Sequence, residues 1–108
     1  MSVSYLYQKF SAAVESMAAS PASIQHRIAD AYISQLHVLQ PDELPDEIRM
    51  DFTIMVEELT RIEPVGNEGK VMASAREMSE DDAVEIARKI VHMHDVVTAH
   101  YHSELAGD

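Results

Sequence analysis

Apolar residues recur at helical spacing through almost the whole chain. Val3, Leu6, Tyr7, Phe10, Ala13, Val14 and Met17 repeat in an a/d manner, with Gln8, Lys9, Ser11 and Glu15 opposite, which predicts a helix from Val3 to Ala19. Ser20-Pro21 then offers an N-cap and a first helical residue for a second helix, from about Ala22 to Leu39. Its stripe is Ile24, Ile28, Ala31, Tyr32, Leu36 and Leu39. Gln35 falls inside that stripe, so a buried amide with a hydrogen-bond partner is expected there.

The segment Gln40 to Pro45 breaks the pattern, because two prolines four residues apart do not share one uninterrupted helix. A single turn at 41–44 is expected, then a third helix from Pro45 to about Ile62 with the stripe Leu44, Ile48, Phe52, Met55, Leu59 and Ile62. Pro64 and Gly66-Asn67 mark a turn, and Val71, Met72, Ala75 and Met78 predict a short helix inside the 64–78 connection. The longest helix is expected from Ser79 to Leu105. It opens on a capping signal, with Ser79 ahead of Glu80, Asp81 and Asp82, and its stripe is Ala83, Ile86, Ala87, Ile90, Met93, Val97, Tyr101 and Leu105. The pattern predicts an all-α fold, a compact antiparallel four-helix bundle with one extra short helix in the 64–78 connection. Its 108 residues suit a single helical domain over 1–108.

Charge narrows the partners. The formal net charge is −11, and residues 1–40 cancel internally (Glu15 and Asp30 against Lys9 and Arg27), so the whole excess lies in 41–108. Such a chain repels phosphate backbones, which argues against nucleic acid and leaves a basic protein as a fitting partner. There is no cysteine, which removes disulfides, thiol catalysis and thiolate zinc sites. The first twenty residues read as a helix of the fold and not as a signal peptide, and no window approaches a membrane span. A cytoplasmic location is the expectation.

Six histidines are the most pointed chemistry, four of them in the last helix. His94 falls in the middle of the apolar stripe and is expected to be a buried imidazole bonded to Gln35 or to a tyrosine hydroxyl. The others are dispersed around the helix. No two lie at the His-x-x-x-His spacing of a helical zinc site, and only His92/Asp95, His100/Glu104 and His26/Asp30 make two-ligand starts for a divalent metal. Di-iron carboxylate bundles need Glu-x-x-His, which is absent. The acidic pairs Glu77-x-x-Glu80 and Glu43-x-x-Asp46 sit at helix entrances, where capping and dipole complementarity account for them. Gly66-x-x-Gly69-Lys70 lacks both the spacing and the hydroxyl residue of a phosphate loop. No nucleophile motif occurs, and no cofactor is expected.

The third helix carries a second pattern. Glu43, Glu47 and Asp51 follow one another at i,i+4, Glu58 lies on the same side, and Met50 and Ile54 form an apolar pair beside them. Like charges at this spacing cost a few tenths of a kcal/mol each, so they call for an explanation. The reading is a contact surface, with Met50 and Ile54 central and Glu47, Asp51 and Glu58 as an acidic rim. A non-enzymatic interaction or accessory protein, self-associating through that surface, is the functional expectation. A metal-dependent helical enzyme or metal sensor, and an acidic regulator of a basic protein, are the alternatives.

Overall fold

A computed structural model describes residues 2–64, 66 and 69–107. Every regular element among them is helical: α1 (Val3–Ala19), α2 (Ile24–Ala31), α3 (Asp46–Leu59), α4 (Lys70–Arg76) and α5 (Glu80–Leu105). Serines open three of the five. The hydroxyls of Ser2, Ser23 and Ser79 accept the backbone N–H of Tyr5, His26 and Asp82, each satisfying one donor that a helix start leaves without a partner.

The second helix departs from the sequence pattern at both ends. It starts at Ser23 rather than Ser20, whose hydroxyl instead takes the Ala22 N–H within the linker. After Ala31 the chain continues as a π-helical turn, Tyr32–Leu36, in which His37 N–H reaches the Tyr32 carbonyl at 2.9 Å. One extra residue in that turn shifts the stripe, so Leu36 is fully buried while Gln35 is only half-buried at its edge. The expected turn at 41–44 is a 3-10 turn, Pro41–Glu43, closed by the Glu43 carboxylate accepting Gln40 N–H at 2.8 Å.

Helix α3 stops at Leu59, short of Ile62: Thr60 leaves helical geometry at φ −127°, its N–H donating to the Glu57 carbonyl and its hydroxyl to the Val56 carbonyl at 2.7 Å. Gly66 takes φ +81°, the left-handed value that suits glycine at a turn. Its expected partner Asn67 lies outside the described residues. The short helix in this connection is α4, packed on α2 and α3. The hydroxyl of its fully buried Ser74 accepts Ile62 N–H at 3.0 Å and so ties the connection to the core.

Helix α5 is the centre of the packing, touching α1, α2 and α3. Its Ala83, Ile86, Ile90, Met93 and Val97 are all fully buried, against Leu6, Phe10 and Ala13 of α1, Ile28 of α2, and Ile48, Phe52, Met55 and Leu59 of α3 within one cluster. Each large side chain there contributes about 1.5–3 kcal/mol by leaving water. Two pairs of contacts fix directions. Tyr7 stacks on Tyr101 and Ser11 meets His94, so α1 and α5 run antiparallel; Glu47 meets His100 and Glu58 meets Lys89, so α3 and α5 do too. The result is compact, 49 × 28 × 23 Å.

The Ser74 contact can be tested directly. Ser74→Ala leaves the partly buried Ile62 N–H without its partner and should cost about 1 kcal/mol. Urea unfolding should show a lower midpoint with an unchanged slope. An unaltered midpoint would mean that this hydrogen bond does not hold the connection.

Candidate functional site

The residues singled out on α3 lie along its flank toward α5. Ile48, Phe52, Met55 and Leu59 face the core, and the line Glu47, Asp51, Ile54, Glu58 is the next one round the helix. Two of its carboxylates have partners on α5. Glu47 Oε2 lies 3.0 Å from His100 Nε2, and Glu58 Oε1 accepts from Lys89 Nζ at 3.3 Å. Lys89 offsets the charge of Glu58 from the neighbouring helix, and His100 gives Glu47 a hydrogen-bond partner there. Asp51 and Ile54 are half-buried between these two bridges. Met50, one step further out, is 70 % exposed, the most exposed of the large apolar side chains among the described residues.

The Glu47 carboxyl is held below its ordinary value of 4.5, first by a hydrogen bond with its own backbone N–H in the opening turn of α3, then by the His100 imidazole. A lowered carboxylate pKa adds stability above the ordinary value, and that stability is lost as pH falls through the lowered one.

The histidines are distributed as inter-helix or local contacts. His94 is partly buried, its side chain 24 % exposed, and lies against α1. Its Nε2 sits 3.1 Å from Ser11 Oγ and 3.4 Å from Thr98 Oγ1, with the Tyr7 ring stacked 6.1 Å away. The expected partner Gln35 is not used. Ser11, which looks polar and outward in the sequence, is four residues on from Tyr7 and so borders the same seam. His26 pairs with Asp30 at 3.1 Å on α2 and lines a surface cavity of about 250 Å³ with Ser23, Gln25, Met72, Ala75 and Arg76. His92 and Asp95 border an open groove on the outer side of α5. His100 takes Glu47 of α3 as partner, so the contact crosses helices instead of running to Glu104. Among the described residues no three His, Asp or Glu side chains converge as a metal-binding group. No described helix is long and apolar enough to cross a membrane.

Comparison with known proteins finds no matching family model, no matching curated protein and no matching solved structure.

Glu47→Gln separates the bridge from the rest of α3. The variant should be less stable than the native chain at neutral pH, and the difference should vanish once pH falls well below the carboxylate range. Denaturant melts at both pH values measure it, and a difference that persists in acid would assign the effect to something other than the Glu47 charge.

Proposed function

We propose that α1, α2, α3 and α5 form an antiparallel four-helix bundle, closed at one end by α4, and that this bundle is a non-enzymatic interaction or accessory protein of the cytoplasm. In this reading it self-associates through the outer side of α3. The observation that carries the reading is the exposure of Met50 (70 %) beside half-buried Ile54 and two bridged carboxylates, Glu47 and Glu58. An apolar centre beside carboxylates that already have partners is the anatomy of a protein contact: burying Met50 strips water from apolar surface while Glu47 and Glu58 keep their partners on α5. A thioether side chain with three rotatable bonds also adapts to the surface that meets it.

The test is Met50→Lys, alone and with Ile54→Lys. Met50 is exposed enough that the single change should leave helical circular dichroism intact. At a concentration where the native chain is associated, sedimentation should report a lower mean mass for the variant. A mean mass equal to that of the native chain would remove α3 from the contact.

A further inference from the structure

Helix α5 carries a second pattern on its outer side, distinct from the core stripe and from the flank that meets α3. Asp81, Arg88, Asp95 and His102 recur every seventh residue, and all four are exposed. Val84, Val91, Thr98 and Leu105 alternate with them at spacings of three and four. A seven-residue repeat drifts only about 20° per repeat on a straight helix, so the line keeps to one side from end to end. Val91 is 43 % and Leu105 68 % exposed, and Val84, Ala87 and Val91 form with Ile24 of α2 an open groove of about 430 Å³ edged by Arg88, His92 and Asp95.

The order of the four polar positions selects the occupant. From N- to C-terminus they run carboxylate, guanidinium, carboxylate, imidazole. Reversed, each meets its complement: Arg88 faces Asp95, and Asp81 faces the N–H of His102. Parallel pairing in register, the other arrangement with two-fold symmetry, sets Arg88 against Arg88 and Asp95 against Asp95, so of the two symmetric arrangements only the antiparallel one is compatible. We propose that a second copy of this chain docks here, α5 against α5, about a two-fold axis beside Val91.

In that arrangement the two Val91 side chains meet at the axis, and Val84 of each copy packs near Thr98 and Ala99 of the other. Two reciprocal Arg88–Asp95 pairs flank them. The stretch from Asp81 to His102 gives a contact about 31 Å long at 1.5 Å per residue. Existing partners do not compete strongly. Arg88 Nε lies 3.6 Å from Glu85 Oε1 with both side chains at least 70 % exposed, and Asp95 Oδ1 lies 3.8 Å from His94 Nδ1. Solvated pairs at such distances contribute little and exchange readily. The −11 charge of each copy opposes approach at long range, whereas at physiological ionic strength the Debye length of about 8 Å leaves the close opposite charges to decide.

This face does not depend on the α3 surface, which meets α5 through Lys89 and His100 on another side. Two separate two-fold surfaces on one chain build a closed tetramer or an open string.

The experiment uses two charge reversals, each made in a Met50→Lys background so that the α3 contact is silenced. Arg88→Asp places carboxylates at both 88 and 95; Asp95→Arg places guanidinium groups at both. Native mass spectrometry at physiological ionic strength should show the Met50→Lys parent as a dimer, each reversal alone as a monomer, and an equimolar mixture of the two as a one-to-one heterodimer. Recovery on mixing cannot come from damaged folding. Reversals that dimerise like the parent, or a mixture that stays monomeric, overturn the proposal. A monomeric Met50→Lys parent overturns it as well, and if the native chain is associated that result leaves the α3 reading standing.

Discussion

The constraint on which the rest depends is the covering of α5. Its Ala83, Ile86, Ile90, Met93 and Val97 make an apolar stripe with no exposure to solvent, on a helix of 26 residues. Most helical stability in a protein comes from packing such a face, not from propensity. Helices α1, α2 and α3 supply the cover, so their positions follow from the need to enclose one stripe. Short connections set the order: Ser20 to Ser23 turns α1 into α2, and Gln40 to Pro45 turns the chain into α3. A longer connection then brings the chain through α4 to the start of α5, with Gln25 of α2 donating to the Met78 carbonyl where α5 is about to begin.

Once the stripe is covered, the remaining sides of α5 take distinct parts. Toward α1 lie His94 and Tyr101, which meet Ser11 and Tyr7. Toward α3 lie Lys89, which pairs with Glu58, and His100, which is hydrogen-bonded to Glu47. His94 and His100 thus act as polar fasteners between helices. Apolar side chains left over at the surface, Met50 on α3 and Val91 on α5 among them, sit beside charged groups that already have partners nearby.

Much of this was legible in the residues. The bounds of α1 and the start of α5 followed from a/d periodicity and serine caps, and the stripe residues of α3 from Leu44 to Leu59 are all buried. What depends on local backbone competition was not. Both Ser20 and Ser23 are good caps, and the choice of Ser23 lies in how the linker turns. The π-helical turn at Tyr32–Leu36 has no signature in the hydrophobic pattern, which reads across it as an ordinary helix and so places Gln35 too deep. Contacts between helices were the least legible of all. That Glu47 would meet His100, or that His94 would choose Ser11, requires knowing which helices are neighbours and in what register. Periodicity fixes which side of a helix is apolar, but not what lies across from its polar flanks. The seven-residue line on α5 was also hidden, because the stronger core stripe dominates the same stretch.

The most direct measurement of the central claim is the mass of the native, tag-free chain, purified without chelator and examined under native conditions over a wide concentration range. A protein built for association between its own copies gives assemblies of two or more chains that grow with concentration and carry no stoichiometric metal. A single-chain mass at every concentration, or a chain that retains one metal ion per copy, would contradict that account.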